Sequence, residues 1–174
     1  MELKNPLYKN IGIHVVSNIF TVDKGITKVL LIKRTNKPYK DYWALPGGAM
    51  YNNELVLDSA KRELNEKTGI KEINLSMHKI IDTIDRSPLK RMIAISFIGV
   101  LDIEKAEILS KTNKTSDIGW FDIKNIPELA YDHNEIINYA LEELKNKIVT
   151  TDILKSLFPK EFTLPELHNV YTSI

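Results

Sequence analysis

Between Ile11 and Phe20 the chain reads IGIHVVSNIF, and between Ile26 and Thr35 it reads ITKVLLIKRT. Both runs are dense in β-branched residues, which predicts two strands. Asp23-Lys24-Gly25 between them predicts a hairpin. A polar, proline-containing loop over Asn36–Tyr42 feeds a Gly47-Gly48 turn. The apolar period then changes. Val56, Ala60 and Leu64 recur every four residues, which predicts a helix from Asn53–Leu55 to Lys67–Thr68 with Gly69 as its left-handed stop. Asn53, tolerant of left-handed geometry, is expected to keep the turn before it. His78–Asp85 and Arg91–Leu101 read as strands joined through Arg86–Lys90, Glu104–Thr115 as a charged connection, and Asp117–Ile123 as a short strand. Ile136, Ile137, Ala140, Leu141 and Leu144 form the stripe of a second helix, with Asp132 as its cap and Glu135 as a capping-box acid. Thr151–Leu157 predicts a short helix, 158–162 a break, and Thr163-Leu164-Pro165-Glu166 the start of a last helix. Its apolar face, Leu167, Val170, Tyr171 and Ile174, runs to the final residue. This order predicts an α/β (α+β) fold, a mixed sheet between helices.

Composition narrows the partners. Of 174 residues, 27% are charged and 43% hydrophobic, and the net charge of +1 gives no global pull towards nucleic acid or anionic membrane. The absence of cysteine excludes disulfides and thiolate metal sites. Met1–Asn10 is polar, unlike a signal peptide, and no apolar run approaches a membrane span, so a cytoplasmic protein without a membrane partner is expected. The first strand carries more apolar residues than one sheet face needs (Ile11, Ile13, Val15, Val16, Ile19 and Phe20), which favours a homodimer.

The candidate chemistry lies in GGAMYNNELVLDSAKRELNEKTGI, residues 47–70. Glu63 and Glu66 share a helix face, where like charges destabilise unless a cation offsets them. A hard divalent ion bound through oxygen is one such cation. Glycine at 47 and 48 leaves room for a carbonyl ligand or a phosphate.

Gly48, Glu54, Arg62, Glu63, Leu64, Glu66, Gly69 and Ile70 fall on the marks of the Nudix box, and the chain resembles that family from roughly Asn10 to Lys147. The resemblance implies an α/β/α sandwich over 1–147, with 148–174 as a helical extension. It also implies Mg²⁺ or Mn²⁺ held by Gly47, Glu63 and Glu66, catalysis by Arg62, Glu63 and Glu66, and a nucleotide-type substrate bound by Arg34, Gly48, Glu54 and Arg86. One mark fails: Lys67 stands where the family commonly has a metal-ligating glutamate. Lys67 offers no lone pair, weakening Mg²⁺ binding, so that an ordered metal would rest on Glu63 or Glu66 and the diphosphate. Equally, it sits four residues after Glu63, the favourable order for an ion pair.

IGWFDIKNIPELAYDHNEII, LFPKEFTLPELHNVY and the strands flanking Asp85-Arg86 resemble more narrowly the branch of Nudix-related transcriptional regulators and ADP-ribose pyrophosphatase-like proteins that carry a C-terminal winged helix. This implies two functions: Mg²⁺-dependent hydrolysis of an ADP-ribose-like compound, or ADP-ribose sensing by a catalytically impaired domain whose DNA contact lies in a missing C-terminal domain. Lys33 and Arg91 read as solvated charges, His133 as an exposed first-turn residue, and His14 as a partly buried strand histidine.

Overall fold

The computed structural model describes residues 11–158 and 162–174, so Met1–Asn10 and part of the expected break at 158–162 lie outside the described residues. A seven-stranded mixed sheet is built around β1 (Gly12–Asp23), which pairs antiparallel with β2 (Ile26–Arg34) and parallel with a strand from much later in the chain. Asp23 faces Ile26 across a two-residue turn in which Lys24 and Gly25 both have positive φ, at 51° and 74°. This is the backbone that matches strand twist in a tight hairpin. β3 (Trp43–Ala44) lies beside β2, and β4 (Gly47–Ala49) beside β1. Helix α1 (Val56–Thr68) follows, then β5 (Leu75–Ile81), β6 (Met92–Val100) and β7 (Thr115–Asp122). The path across the sheet is β3-β2-β1-β6-β5, with β7 on β2.

Both faces of β1 are covered. Val16, Phe20 and Val22 pack against Leu31, Ile98 and the stripe of α2 (His133–Thr150). Val15 and Ile19 face the other way, towards Ala60 and Leu64 of α1. Each such buried side chain contributes about 1.5–3 kcal/mol. This two-sided burial accounts for the surplus of apolar residues that had suggested a dimer. Only Ile11 and Ile13 of that set stay half exposed.

The glycine pair is not a turn. Gly47 and Gly48 extend along β4, opposite Val16 and Val15. Their need is space: a Cβ on Gly48 would stand 2.3 Å from the Glu63 carboxyl, and one on Gly47 2.3 Å from the Val15 carbonyl. Nor is Asn53 among the residues with positive φ. Gly69 does take the expected left-handed stop, with φ of 86° and its N–H donating to Asn65 O. β5 begins and ends earlier than His78–Asp85. A bulge between Met77 and Lys79 shifts its register on β6, and residues 82–91 leave the sheet with Ile84 exposed.

Helix α2 opens without the expected cap. The Asp132 side chain turns to Arg86, and Glu135 accepts from the Tyr139 hydroxyl instead of closing a capping box. Thr163 and Glu166 do form a capping box at α4 (Leu164–Ser173), with Pro165 in the first turn. Only Leu154–Leu157 of the expected Thr151–Leu157 helix is helical, as α3. Both extension helices pack on the α2 side of the sheet. Leu157, Phe158 and Val170 are buried there with Phe20 and Leu144. Among the described residues no helix is long and apolar enough to cross a membrane.

Candidate functional site

Arg62, midway along α1, is the hub of the acidic cluster. Its Nε and Nη2 grip both oxygens of Glu54 at 2.8 and 2.7 Å, and its Nη2 also donates to Ala49 O at 3.0 Å. Nη1 donates to Glu63 Oε1 at 2.6 Å and to Glu66 Oε2 at 3.4 Å. The Tyr51 ring covers the guanidinium at 3.9 Å. Charge-assisted bonds of this kind are short and directional, so Arg62 fixes the orientation of Glu63. Glu54 is fully occupied: it also accepts from the Tyr51 N–H, and Arg62 holds its carboxyl down at about 2. It does not line the cleft beside α1, and its bonds brace the 49–54 loop against Arg62.

Lys67 lies one turn further along the helix. Its ammonium donates to Gly47 O and stands 3.5 Å from Glu63 Oε2. Burial lowers its pKa, and the Glu63 carboxylate pulls it back up. Glu66 is held by Lys114, arriving from the turn before β7, as well as by Arg62. Every oxygen donor that the Nudix resemblance assigns to a metal, Gly47 O, Glu63 and Glu66, is therefore already bound to a cationic side chain. Among the described residues no group of three or more His, Asp or Glu is placed to hold a metal ion. The donor set does not fit a divalent ion, because an ammonium or guanidinium within contact distance of each carboxylate repels it.

The cleft is about 400 Å³ and opens where α1, the ends of β1 and β2, and the 86–90 loop meet. Five cations line it, Arg34, Lys67, Arg86, Lys90 and Lys114, against the single carboxylate of Glu63. Arg34 is anchored by the Pro38 carbonyl and stacks on Tyr131 at 5.0 Å. Arg86 is held by a bidentate pair with Asp132, at 2.9 and 2.7 Å. Tyr39 contacts both Tyr42 and Tyr131 at the rim, beside a second hollow that shares Leu89 with the first.

Two histidines complete the lining. His133, expected at the surface, is 6% exposed, and its Nδ1 accepts from the Leu45 N–H at 3.0 Å. Burial, then Arg86 and Arg34, bring its pKa from 6.5 to about 3. His14 is partly buried, as expected, and is lowered to about 4 by burial and by Arg86. Both remain neutral at pH 7. As pH falls below about 6.5 the unfolded chain takes up these two protons and the folded chain does not, so stability is full above that pH and is lost as it falls. The slope is about 1.4 kcal/mol per pH unit for buried His133 and less for the more exposed His14. Urea unfolding between pH 7 and 5 should show this slope, and His14→Gln should reduce it. A flat profile for the wild type would refute the assignment.

Of the residues expected from sequence, the structure brings Arg34, Gly47, Gly48, Glu63 and Arg86 to the cleft and leaves Arg62, Glu66 and Glu54 behind it. Lys33 lies over Trp43, and Arg91 donates to Thr83 O, both outside the cleft as expected. Lys90, Lys114, Tyr131 and His133 were missed. For Lys114 no sequence signal existed; for Tyr131 and His133 the signal was weak, two rings at the mouth of a helix.

Comparison with known proteins agrees with the fold. The ADPR responsive transcriptional repressor NtrR of Acinetobacter baylyi is 33% identical over 160 residues, covering 90% of this chain and 63% of that protein. The ADP-ribose pyrophosphatase of Methanocaldococcus jannaschii is 39% identical over 110 residues, covering 63% of each. The chain thus spans 63% of the length of both relatives. Among solved structures, the NUDIX domain of Shewanella oneidensis NrtR in complex with ADP ribose superposes with a TM-score of 0.73 at 25% identity, covering 80% of this chain and 93% of that one. The model of the NUDIX domain matches residues 12–143, the stretch that carries the whole sheet, α1 with Arg62, Glu63 and Glu66, and the first half of α2, and the chain belongs to that family.

Proposed function

We propose that the cleft binds a nucleoside diphosphate joined to a second sugar, ADP-ribose or a close relative, and that the domain works as an effector-binding module. The observation that carries this is the lining: five cations that outnumber Glu63, Glu66 and Asp132, the carboxylates paired with them, with tyrosines at the rim. A diphosphate supplies the balancing negative charge, and an adenine ring supplies a flat face for the tyrosines. Arg34, Gly48 and Arg86 are the proposed ligand contacts. The likeness to an ADPR-responsive repressor and to a NUDIX domain holding ADP ribose supports the same ligand. Contact with DNA, on this reading, is made outside the Nudix domain of residues 1–147, with 148–174 as the extension leading towards it. Titration calorimetry with ADP-ribose against AMP tests the proposal. Binding of ADP-ribose at least tenfold tighter than AMP is expected; no measurable binding would overturn it.

Hydrolysis is the second reading. It is favoured by the 39% identity to an ADP-ribose pyrophosphatase and by the Arg62–Glu63–Glu66 cluster, which would be its catalytic group. Release of AMP from ADP-ribose with Mg²⁺ or Mn²⁺, followed by chromatography, decides between the two.

A further inference from the structure

Nudix hydrolases generally work with a divalent metal, whereas this site holds a lysine among the donors that such a metal would use. We propose that the Lys67 ammonium stands in the metal's place as the fixed counter-cation for the ligand's diphosphate, so that the cleft binds its ligand without a divalent ion. This inference rests on the reading of the cleft as a nucleoside-diphosphate site and says how that site is neutralised.

The geometry is specific. An ammonium has three N–H donors in a tetrahedral set. One is spent on Gly47 O and one is directed at Glu63 Oε2, which leaves the third for the cleft that Lys67 lines. The stem is held by α1 and the head is tied at two points, so the charge does not wander into solvent as a surface lysine's does. Its side chain is only 15% exposed. A Cβ at position 48 would collide with the Glu63 carboxyl, so the glycine lets β4 and its carbonyls approach α1. Glu63 is in turn aimed by Arg62. Glu66, which would be the remaining anchor for a metal, is paired with Lys114, 48 residues away in sequence, and with Arg62. Two separate lysines thus neutralise the two retained acids, and the net charge left facing the cleft is positive without any ion. Since Lys114 and Lys67 come from different elements, the neutralisation is a property of the folded site and not of one substitution.

Two measurements on the full chain test this. The first is calorimetry with ADP-ribose in EDTA and in millimolar Mg²⁺. The wild type is expected to bind with affinities within about twofold of each other, and Lys67→Gln to lose tenfold or more in EDTA while regaining part of that loss in Mg²⁺. Wild-type binding that requires Mg²⁺ overturns the proposal, and so does a Lys67→Gln protein that binds as the wild type does in EDTA. The second is a Mn²⁺ titration without nucleotide, read by the electron paramagnetic resonance of free Mn²⁺. Lys67→Gln, which frees Gly47 O and removes one of the two cations on Glu63, is expected to bind Mn²⁺ at least tenfold more tightly than the wild type; equal affinities overturn the proposal. Because the Mn²⁺ titration uses no nucleotide, a failure of ADP-ribose to bind at all would remove the proposed ligand without touching the result for Lys67. The wild-type comparison in EDTA and Mg²⁺ needs no variant, so a poorly folding Lys67→Gln would leave the test intact.

Discussion

Asp132→Ala is expected to cost about 3–5 kcal/mol of stability, more than any ordinary surface substitution. Asp132 and Arg86 form a bidentate pair with side chains only 14% and 4% exposed. A guanidinium does not shed its proton at any pH the fold survives. Removing the carboxylate therefore leaves a buried, permanent charge with its best partner gone, and that is what makes breaking one half of a buried pair so costly. The charge would also face His14 and His133, whose pKa values Arg86 already depresses. Neither can accept a second charge nearby. The position is not replaceable by a helix cap, because Asp132 makes no capping bond to lose. Arg86 also lines the cleft, so, if the cleft takes the ADP-ribose proposed for it, affinity for ADP-ribose should fall in the same variant as the guanidinium loses its anchor. Urea denaturation of the wild type, Asp132→Ala, and the double variant Arg86→Met/Asp132→Leu gives the answer. The single change should be the least stable of the three, and the double should recover most of the loss, since an apolar pair of similar volume often matches a buried ion pair. A single variant within 1 kcal/mol of wild type would mean that the pair is effectively solvated.

What sequence revealed and what it hid follow one physical division. Patterns set within one helix or one hairpin were legible. The Val56–Ala60–Leu64 stripe and Gly69 placed the end of α1 at Thr68 and its start within one to three residues of Val56, because period and stop signal are local. Arg62 was found because it falls on the spacing of the Nudix box, and Glu63 and Glu66 because they share one helical face. The Glu63–Lys67 pair was visible for the same reason. The other half of that contact, Lys67 to Gly47 O, depends on β4 lying against β1, and Gly47-Gly48 had been taken for a turn. Contacts made by loops crossing the sheet end left no local trace: Arg86 with Asp132, Lys114 with Glu66, and Leu45 with His133. His133 was misplaced because helix periodicity says which residues share a face but not how deep the first turn is set. His78–Asp85 was misplaced because a one-residue bulge in an edge strand inverts the alternation that a two-residue period relies on.

Leu157→Ala is expected to lower the stability of the whole molecule by about 2–5 kcal/mol, although it lies in the extension and far from the cleft. Leu157 has no exposed surface, Phe158 is 3% exposed, and Val170 on α4 has none. All three belong to the cluster that holds Phe20 of β1 and Leu144 and Ile148 of α2. The extension is further tied down by Thr27 Oγ1 with Ser173 Oγ at 3.2 Å and by Lys145 Nζ donating to Ile174 O at 3.0 Å. A short helix of four residues has no stability of its own, so α3 exists only through this packing. The cavity left by truncating Leu157 is lined by the sheet and α2, and the loss must therefore appear in the unfolding of the Nudix core itself. For a chain of this length, 1 kcal/mol corresponds to about 2–4 °C in Tm. A drop of roughly 4–20 °C in one cooperative transition, followed by near-ultraviolet circular dichroism on heating, is the expected outcome. Val170→Ala should act in the same direction with a smaller step, because it removes less volume. An unchanged Tm, or a separate early transition for the extension, would show that α3 and α4 rest on the core without stabilising it, and the apolar face that they cover on β2 and α2 would then need another partner.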